Sequence, residues 1–175
     1  MSIASATTRH PADVGVASIK ALELLDLDAC RATVHPEARN REAEAEPLPC
    51  RQAGPAGFFA TAEWLHNLAD DISWDIHETV AEGDLVAVHT TMRGRQSNPH
   101  TIYDPAGQPA VVMPNHARSF AVTQTHWFRM RDGLVVEHWA NRDDLGMAMQ
   151  LGWVPPTPAY LVRMAAAKSR ARATV

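Results

Sequence analysis

The chain has 175 residues, 46% of them hydrophobic and 21% charged, with a formal net charge of −4, which suits one globular domain with a core of its own. That balance leaves no electrostatic footprint for nucleic acid, and no apolar run approaches the ~20 residues of a membrane span. Cys30 and Cys50 show neither metal spacing nor a disulfide pattern, so a cytoplasmic protein with reduced thiols is expected.

Residues 1–11 are small and polar and read as disordered, and they lack the n-region and h-region of a signal peptide. A helix is expected from about Ala12-Asp13, and a second, short one from Asp28 to Val34, stopped by His35-Pro36. Glu37 to Pro55 reads as a loop, rich in Glu, Pro and Ala, with room for a short strand and the length of a lid. Phe58, Phe59, Ala62, Leu65 and Leu68 then recur at helical spacing over 56–69. Trp64 reads as a core residue of that helix. From Asp71 the period is two, with Ile72, Trp74, Ile76, Glu78 and Val80 on one face. After the turn at Glu82-Gly83-Asp84, a second strand covers 85–92. Residues 93–110 form a polar excursion with a short strand at 101–103, and another strand starts at Val111. Strands over 118–129 and 134–141 flank Asp132-Gly133, a two-residue hairpin signal. A short helix over 145–151 ends at Gly152. A terminal helix over 160–172 is expected in the tail, 155–175, whose basic residues read as solvated. Helices followed by antiparallel strands predict an α+β fold, with helices on one face of a curved sheet and a cavity between them.

The hairpin predicts where that cavity finds its chemistry. Pairing Arg131 with Leu134 places Phe128 opposite Glu137, His126 opposite Trp139 and Gln124 opposite Asn141. Val122, Gln124, His126, Phe128, Glu137, Trp139, Asn141 and Asp143 then share one face, and Trp127 and His138 the other. A face mixing large apolar groups with an imidazole, amides and carboxylates fits a half-apolar pocket with convergent polar groups.

Glu137-His138-Trp139, Asn141 to Gly146 and Gln150-Leu151-Gly152 together resemble the SnoaL-like polyketide cyclase family, within the superfamily of nuclear transport factor 2 and ketosteroid isomerase. Val34-His35-Pro36, the helix after Gly54 and Glu82 to Val86 are similar as well, and the resemblance covers residues 12–154. It implies a cone-shaped α+β barrel with an internal pocket and a cofactor-free enzyme. Such an enzyme closes a ring in a polyketide ester by intramolecular aldol chemistry, with an aspartate as acid/base. The motif places that aspartate at Asp143, and the resemblance leads us to expect a histidine near it, for which His126 is the nearest candidate. Asn141 and Gln124 would donate hydrogen bonds to carbonyl oxygens. Trp139 and Phe128 would form the walls, and His35 either ends its helix or reaches the pocket rim. Plainer roles stand beside these. Asp143 suits a helix N-cap, and His126 suits a hydrogen-bonded core position. Nine histidines form no metal-binding pattern, so no metal is expected. The partner expected is a small hydrophobic molecule, with a non-catalytic binding protein of the same fold as the other reading. A homodimer through the outer sheet face, carrying Trp127 and His138, follows from the pattern and the family habit.

Overall fold

In the computed structural model, which describes residues 9–154 and Pro158, α1 (Pro11–Glu23) starts on a proline. The missing N–H of Pro11 costs nothing at the first helical position. Val14, Ile19 and Ala21 are buried beneath it. A Cβ at Gly15 would lie 3.0 Å from Val86 Cγ1, so the glycine lets α1 settle directly on the sheet. Asp26 caps α2 (Leu27–Thr33) by accepting from Ala29 N at 2.9 Å.

The stretch read as a loop holds more structure than its composition suggested. β1 (Val34–Asn40) passes through His35-Pro36, and two 3-10 helices follow, Arg41–Ala45 and Leu48–Arg51. Proline is tolerated because β1 is an edge strand. α3 (Pro55–Leu68) opens at Gly54, whose φ is +80° and whose N–H donates to Ala38 O at 2.9 Å. A Cβ there would sit 2.5 Å from Pro36 O, so only glycine fits.

Four long strands follow: β2 (Ala69–Glu82), β3 (Leu85–Gln96), β6 (Ser119–Arg131) and β7 (Leu134–Arg142). With β1 they form one sheet in the order β1-β7-β6-β3-β2. All pairs are antiparallel except β1 with β7. The polar excursion is a separate hairpin, β4 (His100–Tyr103) with β5 (Pro109–Met113). α4 (Asp144–Leu151) closes the domain on a left-handed Gly152, with Leu151 fully buried. The architecture is α+β, with helices against a curved, mainly antiparallel sheet that remains open at β1 and β2. The core runs from Val14 and Ile19 through Phe58 and Trp74 to Val86, Val88, Phe128 and Val135. The expected helix at 160–172 and the residues before Arg9 lie outside the described residues.

Two bulges reset the faces predicted by strict alternation. Arg131 does pair with Leu134, across a turn with φ of +53° at Asp132 and +74° at Gly133. Met130 pairs with Val135, but Arg129 pairs with Glu137, so Val136 is an extra residue on β7. Beyond it Phe128 faces His138, His126 faces Ala140 and Gln124 faces Arg142. The predicted partners Glu137, Trp139 and Asn141 are each off by one. On β2, His77 is the extra residue between the Ile76–Thr90 and Glu78–His89 pairs. It turns Val80 outward, 65% exposed, and Ala81 onto the core.

Candidate active site

Between the helices and the sheet lies a cavity in two joined chambers. The inner one, about 70 Å³, is walled by Ile19, Leu22, Phe58, Trp74, Met92 and Phe128. The outer one, about 250 Å³, is walled by Leu68, Ile102, Met113, Met147 and Trp153. Trp64, Leu65, Met92, Gln124, Arg142, Glu42 and Glu46 belong to both and mark the passage between them.

The inner face of the β6–β7 hairpin supplies Gln124, His126, Phe128, His138, Ala140 and Arg142. A continuous run of polar contacts crosses it. Trp74 Nε1 donates to Gln124 Oε1 at 3.0 Å, and the same oxygen lies 2.9 Å from His126 Nε2. His126 Nδ1 lies 3.0 Å from His138 Nε2, and His138 Nδ1 lies 2.8 Å from Asn40 Oδ1. Burial, with the Arg142 charge nearby, brings His126 down to about 4. His138 is held well below the ordinary histidine range, first by burial and then by its neighbour His126. Both rings are therefore neutral in the empty cavity.

The two carboxyls of the inner chamber, Glu42 and Glu46, come from the 3-10 segment after β1 and the residue that ends it. Glu42 accepts from Ala140 N at 3.0 Å and pairs with Arg142 at 2.9 Å, which holds that guanidinium at the passage. Glu46 is the one buried acidic side chain among the described residues, 4% exposed. Thr61 Oγ1 donates to its Oε2 at 2.6 Å. Burial pushes its carboxyl above the ordinary range, only partly offset by that hydrogen bond. Its backbone is pinned as well. Arg51 reaches Glu46 O at 2.8 Å and, across the cavity mouth, Asp104 O at 2.7 Å and Pro105 O at 2.9 Å. The β4–β5 hairpin above carries His100, stacked on Trp153 at 5.1 Å and tilted against Trp64 at 5.4 Å. Burial brings His100 down to about 4.

The chain that builds this helix-backed open sheet matches the model of the SnoaL-like polyketide cyclase family over residues 14–151. The chain belongs to that family. Proteins of known structure show how far the likeness reaches. TsrD from Streptomyces laurentii is 27% identical over 81% of this chain and 94% of its own, with a TM-score of 0.64. IdmH from Streptomyces antibioticus, a candidate polyketide cyclase, is 26% identical over 82% of this chain and 99% of its own, at 0.62. AclR from Streptomyces galilaeus, at 20% identity and 0.61, shares the fold. Among curated proteins none matches the sequence.

Within this SnoaL-like domain the structure gathers part of the expected site. Gln124, His126 and Phe128 line the inner chamber as predicted. Trp139, Asn141 and Asp143 do not, because the Val136 bulge sends them to the outer face. There Trp139 stacks on Trp127 with centroids 6.2 Å apart, and Asn141 Oδ1 accepts from Trp127 Nε1 at 3.0 Å. Asp143 is exposed and caps α4 through Gly146 N at 2.8 Å. Its neighbour Asp144 lines the outer chamber instead. His35 is also away from the cavity, against Arg131 at the hairpin turn at 3.1 Å. His138, expected outside, is 7% exposed and inside. Trp64, read as plain core, is cavity wall. Sequence reasoning missed Asn40, Glu42, Glu46 and Arg142. The legible signals were the apolar triplet Leu134-Val135-Val136, which breaks strict alternation, and the capping pattern Asn40-x-Glu42. No cluster of three or more His, Cys, Asp or Glu side chains placed to hold a metal occurs among the described residues.

Proposed function

We propose that this chain is a cofactor-independent enzyme that enolises a hydrophobic, polyketide-like carbonyl compound and closes a ring in it by an aldol-type step. Glu46 acts as the acid/base. The observation that carries the reading is a single buried carboxyl, raised by desolvation, in the wall of the cavity. A carboxyl so placed exchanges protons nearer neutrality than an exposed one. As carboxylate, Glu46 takes a proton from carbon next to the carbonyl. As acid, it returns a proton to the new alkoxide. Arg142, held at the passage by Glu42, faces the oxygen on which charge builds. Gln124, His126, His138 and Asn40 tie three strands into one rigid wall, and Trp64 and Phe58 hold the ligand against it. The excluded water favours ring closure over side reactions. Family membership and the likeness to IdmH support the polyketide-like substrate class.

The test is conversion of a panel of linear and partly cyclised polyketide methyl esters, followed by absorbance and retention because a cyclised product keeps the substrate's mass. Glu46→Gln keeps the shape and the Thr61 contact but cannot cycle a proton, so turnover should fall by at least about a hundredfold with folding intact. Unchanged turnover would remove Glu46 from the mechanism. Ligand retention with no conversion by the parent would favour the binding-protein reading.

A further inference from the structure

The two buried imidazoles are one hydrogen short of satisfying their surroundings. Trp74 Nε1 can only donate, so the Gln124 atom it meets is the carbonyl oxygen, and that oxygen also faces His126 Nε2. At the other end the Glu42 backbone N–H, 3.2 Å away, fixes Asn40 Oδ1, which faces His138 Nδ1. Both ends of the pair are therefore acceptors. Three contacts lie between them, at 2.9, 3.0 and 2.8 Å, and each needs one hydrogen. Two neutral rings bring two. Only the singly charged pair, with a third hydrogen shared between the rings, fills all three.

What opposes that third proton is the dry wall and the Arg142 charge from β7. The other charged groups facing the inner chamber are Glu42 and Glu46, from the 3-10 segment. The lining from α1, α3, β2 and β3 is uncharged. An anion held in the chamber would reverse the balance, because a nearby opposite charge favours the protonated imidazole. We infer that binding of an oxyanion draws one proton onto the His126–His138 pair, so that the inner chamber selects the enolate or phenolate form of its ligand over the neutral form. When the ligand arrives neutral, its own O–H or C–H bond supplies the proton, and the bond's electron pair stays on the phenolate oxygen or, from C–H, forms the enolate C=C as the carbonyl π pair moves onto oxygen. When it arrives ionised, solvent supplies it. The inference rests on reading the cavity as the ligand site and is independent of catalysis by Glu46.

4-Nitrophenol serves as a probe, since its ionisation is visible in its absorbance. Titration calorimetry at about pH 8, in two buffers of different ionisation heat, counts the protons taken up per ligand bound. The expected result is the phenolate spectrum in the complex with uptake of about one proton, unchanged in Glu46→Gln and lost in His138→Phe. Arg142 is already protonated and contributes no uptake. A neutral phenol spectrum in the complex, no binding or no uptake would overturn the inference. So would loss of uptake in Glu46→Gln, which would assign the proton to that carboxyl, or its retention in His138→Phe. Should His138→Phe fail to fold, the parent and Glu46→Gln decide alone. Turnover enters none of these readouts, so a failed cyclase assay leaves them standing.

Discussion

Asp143 offers a sharp separation between capping and catalysis, because asparagine and alanine differ in one role and agree in the other. The Asp143 side chain accepts from Gly146 N at 2.8 Å at the start of an eight-residue helix whose last residue, Leu151, is fully buried. Asparagine caps as well as aspartate, whereas alanine gives up about 1 kcal/mol. For a domain of this size that is a fall in Tm of about 2–4 °C. Asp143→Asn should therefore melt like the parent, and Asp143→Ala a few degrees lower. Both should turn over or bind ligand as the parent does, since the side chain faces away from the cavity. A Cβ at Gly146 would lie 2.1 Å from Asp143 Oδ2, so Gly146→Ala expels the cap. In the Asp143→Ala background that clash is gone, and the same change should return about 1 kcal/mol of helix propensity. Thermal melts of the four variants beside the polyketide-ester assay measure all of this. An Asp143→Asn variant that folds normally but loses turnover would refute the reasoning and restore Asp143 as the acid/base.

Glu46 is raised in the folded state, so its contribution is fully present below the ordinary 4.5 and fades as pH climbs through its raised value. Urea melts of Glu46→Gln should accordingly gain on the parent as pH rises above 4.5, and a constant difference would sink the assignment. His126 and His138 are depressed, so the stability they contribute is present above 6.5 and lost as pH falls towards 4. His138→Phe should flatten that acid slope in part, leaving the shares of His126 and of His100, each brought down to about 4. The outer face of β6 and β7 presents Trp127 stacked on Trp139, with Arg41 4.9 Å above the latter ring. If this face joins two copies, sedimentation should give a dimer that Trp139→Glu dissociates. A parent that is monomeric at micromolar concentration would end that expectation.

The fold was legible because its signals are local. Asp132-Gly133 announces a turn, Gly152 a helix end, and the spacing from Phe58 to Leu68 an amphipathic helix. The site was legible only up to the hairpin tip. Gln124, His126 and Phe128 lie on the unbulged strand, so alternation carried them correctly into the cavity. On β7 a single extra residue inverts every assignment that follows it, and both candidate faces there combine a ring side chain with a charged one, so composition could not flag the error. Glu46 escaped for a different reason. It ends the first 3-10 helix, and its orientation is set by Arg51, itself tied to the β4–β5 turn, and by Thr61 from the next helix, contacts that no local pattern announces.

The Val136 bulge has a consequence for how such a cavity changes its chemistry. One strand encodes two complete and mutually exclusive linings. With Val136 bulged out of the ladder, His138, Ala140 and Arg142 face inward. Were Val136 instead paired with Arg129 in an unbroken ladder from Arg131 and Leu134, Trp139, Asn141 and Asp143 would turn inward. A one-residue slip of this register, with Val136 paired instead of bulged, therefore exchanges an imidazole–guanidinium interior for an indole–carboxylate one, a jump that point substitutions would need several simultaneous steps to make. Forming or regularising a hairpin bulge is thus a short route between cavity linings on one scaffold, for natural lineages and for the protein engineer alike.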